Sequence, residues 1–218
     1  MQNAVRAVEV IIREFLPARG LVAAGGGKYD REHILSELRM ASYYRIDAGR
    51  SESEPDSVAI VAIAPDDNKY MRHAPDLKAL LDEVHRGREK VLREVIVVAD
   101  VGFHAKKNLT AVIRARQLNE AKTKIRYELY RITNFLFNIL KHVSVPRHEL
   151  LSPGEAAEFL AKDGLQLPLL PVIYSTDPPL VWLGARGGEC AKITRDSQTA
   201  GTAIYLRRVV RAYAGSTK

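Results

Sequence analysis

One cysteine, Cys190, stands in a chain of 218 residues, which excludes an internal disulfide and any multi-cysteine zinc site. That scarcity fits a reducing compartment, and the lone thiol is expected to act as a small buried packing residue. No apolar run approaches the roughly 20 residues that span a bilayer, so nothing calls for a membrane. The N-terminal stretch breaks its apolar pattern with Glu9 and Glu14 and lacks a small-residue cleavage site, so a secretory signal is not expected. Internal repeats and low-complexity segments are absent. The six histidines (His33, His73, His85, His104, His142 and His148) are scattered, with no close pair at metal-binding spacing. No metal and no cofactor is therefore expected.

What remains is a composition of 46% hydrophobic and 27% charged residues, ordinary for a soluble globular protein and long enough for two domains. The net charge of +7 is uneven. Residues 101–131 hold eight Lys or Arg against two Asp or Glu, and residues 195–218 hold five against one. A local basic patch is what a polyanionic partner needs, although a solvated helix face would look the same.

Periodicity predicts an amphipathic helix over residues 3–16, with Val5, Val8, Ile12 and Phe15 on one face and Pro17 and Gly20 as its stop. Asp30 reads as the N-cap of a second helix to about Met40. Residues 48–57 read as a loop. Val58 to Ala64 and Val95 to Ala99 read as buried strands, separated by a helix after Pro75 that ends at Gly87. A helix is expected from Ala105 to Gln117, then a third strand from Ile125 to Ile132. Interleaved helices and strands over the first 140 residues argue for a layered α/β domain. Val145-Pro146 marks a junction. Beyond it Ser152, Pro153 and Glu155 open a capped helix to about Lys162, and short strands near Ala191 to Thr194 and Ala203 to Arg211 complete a small α+β unit. The expected division is 1–143 and 144–218.

Nucleotide-binding and catalytic readings fare poorly. Gly25-Gly-Gly-Lys28 lacks the phosphate-loop spacing, because Val22 stands where a glycine is required and Tyr29 where Ser or Thr is required. A nuclease would need acids converging near a lysine at strand ends. Asp66, Asp67 and Asp100 follow predicted strands, but Glu120 precedes the third strand instead of lying on it. No catalytic residue is assigned. Ala105-Lys-Lys-Asn108 is the strongest nucleic-acid candidate: two ammonium groups, an amide and the free N–H groups of a helix start all favour phosphate oxygens. Arg114 lies two turns beyond Lys107, and Arg116 extends the same basic surface.

Four further segments follow in order: Val145-Pro-Arg-His-Glu-Leu-Leu-Ser152, Ser175-Thr-Asp-Pro178, Trp182-Leu-Gly184 and Arg195-Asp-Ser-Gln-Thr-Ala-Gly201. Together they resemble the C-terminal assembly domain of the fifth, common subunit of eukaryotic nuclear RNA polymerases, which has a counterpart in the archaeal enzyme. That family reads Val-Pro-Lys/Arg-His, Ser-x-Asp-Pro, Leu-Gly, then Ile-x-Arg-x-Ser-x-Thr-Ala-Gly. The resemblance implies a restriction-endonuclease-like three-layer α/β jaw without nuclease activity, lying beside downstream duplex DNA, and a small assembly domain docked on the largest subunit. By order of elements it places His104, Lys106 and Lys107 near DNA, with Asn108 and Arg114 on the same helix. It also places Pro146, His148, Pro178, Trp182, Arg195, Thr199, Ala200, Gly201 and Arg207 at subunit contacts. Asp196 and Leu206 depart from the family's common residues, whereas Arg207 matches. Lys-Lys-Asn replaces the Thr-Pro-Ser-Ala usual in cellular members and looks like versions carried by large cytoplasmic DNA viruses, as do Pro179 and Trp182. The implied location is the nucleus for a cellular protein, and a cytoplasmic viral factory or virion for a viral one. A free-standing nucleic-acid-binding factor is the alternative. Small residues at Thr199-Ala-Gly201 allow close backbone approach, Gly201 is expected at positive φ, and Arg195, Arg207 and Arg208 suit carboxylates of a partner.

Overall fold

A computed structural model describes residues 1–24, 30–50, 57–63, 70, 73–88, 91–99, 105–197 and 201–212, with the backbone alone for residues 105, 106 and 197. Two compact units emerge, one built on residues 1–137 and one on residues 138–212.

The first unit begins with α1 (Gln2–Val10), which continues through a π turn (Ile11–Phe15) into a last turn (Leu16–Ala18). Pro17 was expected to stop this helix but lies inside it, after the widened turn. The stop belongs to Gly20 at φ 66°. Its N–H donates to the Pro17 carbonyl at 2.9 Å, and the Leu21 N–H donates to the Leu16 carbonyl at 2.9 Å, closing the helix through a left-handed residue that glycine adopts at little cost.

Short β1 (Val22–Ala23), α2 (Arg31–Met40), β2 (Tyr43–Gly49), β3 (Val58–Ile63), α3 (Ala74–His85) and β4 (Glu94–Ala99) follow. After them come α4 (Ala105–Leu118), α5 (Glu120–Thr123) and β5 (Arg126–Arg131). The sheet order is β1-β2-β3-β4-β5, antiparallel as far as β3 and parallel from β3 to β5. β2 corrects the expected loop at residues 48–57. Tyr44, Ile46 and Ala48 are buried in strict alternation, and Ala48 pairs with Val58 while Gly49 pairs with Val22. Residues 51–56 lie outside the described residues.

β3 and β4 are buried along their whole lengths, as strands covered on both faces must be. Ala59, Val61, Ile63, Val95 and Val97 pack with Leu77, Leu80 and Leu81 of α3 and Leu109 and Ile113 of α4. α1 contacts β3 and α2 contacts β2, while Phe15 meets Phe135 edge-to-face at 4.9 Å. Helices thus lie on both faces of a mixed sheet. Each buried Leu, Ile or Val side chain contributes about 1.5–3 kcal/mol through loss of water contact. After α3, Arg88 ties its backbone turn to β2 by donating two hydrogen bonds to Asp47, at 2.7 and 2.6 Å.

The second unit holds β6 (Arg147–Leu151), α6 (Pro153–Lys162), β7 (Val172–Tyr174), α7 (Pro178–Leu183), β8 (Cys190–Ser197) and β9 (Gly201–Val210), in sheet order β6-β8-β9-β7. α6 starts as its sequence predicts. Ser152 Oγ accepts from the Glu155 N–H, and the Glu155 carboxylate accepts from the Ser152 N–H at 2.8 Å, so two otherwise unpaired donors are satisfied. Cys190 is buried, packed with Ala156, Leu160 and Leu170 beneath α6.

Candidate functional site

Strand register decides which side chains of the second unit share a face. β8 and β9 run antiparallel, with Ala191 opposite Arg207, Ile193 opposite Tyr205 and Arg195 opposite Ala203. His148 of β6 stands opposite Ile193. Since directly paired residues point to the same side, His148, Ile193, Arg195, Tyr205 and Arg207 occupy one face. α7 covers part of that face, with Leu180 packed among Ala191, Val209, Leu150 and Ile173. α7 ends at Gly184, φ 72°, where the Ala185 N–H reaches back to the Leu180 carbonyl at 3.0 Å. The remainder of the face is open as a groove of about 460 Å³ lined by Pro146, His148, Pro178, Ile193, Arg195 and Arg207.

Pro146, His148, Pro178, Arg195 and Arg207 are five of the nine expected contact residues, the first four drawn from three separate motifs and Arg207 from β9, and all five line one concavity. His148 Nδ1–H donates to the Pro146 carbonyl at 2.7 Å, fixing the ring against the segment that enters β6. Asp177, which also lines the groove, has its carboxyl pushed up by burial, with the nearby His148 opposing that shift. Arg195 lies over the Tyr205 ring, 5.6 Å from its centroid, a cation–π contact that orients the guanidinium.

The other four expected contact residues do not share this description. Trp182 is completely buried, at 0% exposure, so its side chain adds nothing to the open surface of this unit. Thr199 and Ala200 lie outside the described residues. Gly201 opens β9 at φ 69°, with nothing near the position a Cβ would take, so positive φ and not crowding is what requires glycine there.

On the first unit, Lys107, Asn108 and Arg114 are exposed on α4. Lys107 and Arg114 are seven residues apart, which brings them to nearly the same helix face. The Lys106 side chain and all of His104 lie outside the described residues. Arg116 does not extend this basic surface as expected, because it is engaged by Asp82 and lies 6.0 Å from the centroid of the Tyr127 ring. Of the acids considered for a nuclease, Asp66, Asp67 and Asp100 lie outside the described residues, and Glu120 opens α5 before β5.

A buried charged cluster went unread in the sequence. Glu94 accepts from Arg19 at 3.1 Å and Glu128 from Arg126 at 2.6 Å, with all four side chains at most 9% exposed. Burial works to lower the Arg126 pKa, but the neighbouring Glu94 and Glu128 charges raise it above its ordinary value. These sheet carboxylates are neutralised by guanidinium groups, which is structural ion pairing. The only sequence signal was charge inside otherwise strand-like segments.

Lys107 and Arg114 are thus exposed cations on α4, and Arg195 and Arg207 line the groove of the second unit. Residues 137–209 match the family model described as RNA polymerase Rpb5, C-terminal domain. The DNA-directed RNA polymerase RPB5 homolog of African swine fever virus (isolate Tick/South Africa/Pretoriuskop Pr4/1996) is 31% identical over 201 residues, covering 92% of this chain and 95% of that protein. The DNA-directed RNA polymerase subunit Rpo5 of Thermococcus kodakarensis is 46% identical over 74 residues, 34% of this chain and 90% of that one. That of Nitrosopumilus maritimus is 45% identical over 69 residues, 32% of this chain and 83% of that one. The chain belongs to the Rpb5 family of DNA-directed RNA polymerase subunits.

Proposed function

We infer that this protein is a non-catalytic subunit of a multisubunit DNA-directed RNA polymerase. Its C-terminal part, residues 144–218, acts as the assembly module and docks on the largest subunit. Its N-terminal part, residues 1–143, is a restriction-endonuclease-like jaw placed beside downstream duplex DNA. The observation that carries this reading is the match to a viral polymerase subunit along nearly the whole of both chains. Support from the structure comes from the groove, where motif residues far apart in sequence meet, and from the exposed Lys107 and Arg114.

The DNA contact is auxiliary: a few cationic side chains on one helix neutralise few phosphates, so binding is weak, independent of sequence and sensitive to salt. Phosphodiester chemistry belongs to other subunits. The long viral match favours a viral enzyme, acting in a cytoplasmic factory or carried in the virion; a cellular member would work in the nucleus. Affinity purification of the tagged chain tests the proposal, which expects large polymerase subunits to co-elute in stoichiometric amounts. A free-standing DNA-binding factor, the reading favoured by the basic helix alone, would elute without them.

A further inference from the structure

We propose that the solvent face of α2 in the first unit pairs two copies of this chain, the two helices lying antiparallel about a two-fold axis between Leu35 and Ser36. This goes beyond the assembly reading and does not depend on it.

The helix has two unlike sides. Ile34 and Leu38 are 0% and 1% exposed, on the side by which α2 meets the rest of the unit, where it contacts α1 and β2. On the other side Glu32, Leu35, Ser36, Arg39 and Met40 recur at the three- and four-residue spacing of one helical stripe, and they line a groove of about 420 Å³. Met40 is 81% exposed. Ser36 Oγ donates to its sulfur at 3.9 Å, so the thioether lies back over the middle of the stripe, as long helical side chains do.

Charge decides the occupant. Glu32 and Arg39 stand seven residues apart, about 10.5 Å along the helix axis. Among the described residues neither enters an ion pair. Reversing the helix direction exchanges the acid and the base. In an antiparallel copy Glu32 therefore meets Arg39 at one end, and Arg39 meets Glu32 at the other. The same operation sets Leu35 against Ser36, a large side chain against a small one, which suits the interaxial distance of about 8–10 Å at which helices pack. A stripe that complements itself under a two-fold rotation is what an isologous dimer requires. A polyanion would instead meet the Glu32 carboxylate and an apolar thioether.

The contact is small. One helix of ten residues covers far less than the roughly 1,200–2,000 Å² of a standard interface. The pair is accordingly weak, with a Kd of about 10–100 µM, and forms where the chain is concentrated.

Sedimentation equilibrium of the purified full chain, run across that concentration range, tests the proposal. The parent's average mass should climb from that of one chain towards that of two. Glu32→Arg alone and Arg39→Glu alone each bring like charges together at both ends of the contact, and each should weaken self-association roughly tenfold or more. Mixing the two variants sets opposite charges together again at both ends, so a heterodimer should form with about the parent's affinity although neither variant pairs with itself. Thermal melts like the parent's establish that both variants fold. A parent that stays monomeric throughout, reversals that leave association unchanged, or a mixture no more associated than its components would each overturn the proposal. Recovery of polymerase subunits is read separately, and its failure would leave this result standing.

Discussion

Asp47 shows how one side chain links stability to pH in the first unit. Burial works to raise its pKa, but hydrogen bonds from Arg88 and Arg45 outweigh that and hold it below the ordinary carboxylate value. A depressed folded-state pKa stabilises the fold above the unfolded-state pKa, and that contribution is lost as pH falls through the folded value. Asp47→Asn should therefore lower unfolding free energy by about 1.5–3 kcal/mol at pH 7, the range for hydrogen bonds to charged groups. In urea titrations the gap between variant and parent should narrow below pH about 4; an unchanged gap there would count against the ion-pair explanation. Trp182 belongs to the same scale. As a fully buried residue, its replacement by Ala should cost about 3–5 kcal/mol, read from the denaturation midpoint, whereas a surface contact residue would leave stability nearly untouched. The sequence left two readings for Trp182, ordinary core or part of an exposed apolar patch, since a motif names a residue without saying which way its side chain points.

At the scale of elements, caps and glycines governed what could be read. α3 was legible because apolar period, Pro75 at its start and Gly87 at its end agreed; α2 and α6 were found from their start signals, and α4 from its apolar spacing. β6 and β7 were not recognised. β6 is half-buried and carries Arg147, His148 and Glu149, while β7 is only three residues long, so neither offers a clear alternation. α7 has six residues and begins with two prolines, which reads as a turn until Leu180 is seen in the core. The convergence at the groove was likewise hidden, because it depends on β-strand register across the full sheet. Two local devices can be measured. Ser152→Ala removes one half of the capping box of α6 and should cost about 1 kcal/mol, by chemical denaturation. Gly201→Ala meets open space at φ 69°, so its cost should be conformational, about 1–2 kcal/mol. Gly201→Asn should recover part of it, since Asn tolerates the left-handed region; a steric role would make Asn the worse substitution.

Across the whole molecule, the net charge of +7 is concentrated in two segments, residues 101–131 and 195–218, and the two units give those charges different work. Arg116 and Arg126 are occupied internally, and among the described side chains of α4 the exposed cations are Lys107 and Arg114. Lys107→Ala with Arg114→Ala should reduce the log–log salt slope of duplex DNA binding by about 2, measured by fluorescence anisotropy on the full chain. An unchanged slope would remove α4 from the DNA-facing surface. Arg195 and Arg207 line the groove of the second unit, and changes there should leave that slope alone. The central claim is that this Rpb5-family chain works as a subunit of a polymerase. Its most direct test is purification of the tagged chain from its native source through a high-salt wash, followed by mass spectrometry. Stoichiometric recovery of two large RNA polymerase subunits is the predicted result; recovery of the chain alone would contradict it.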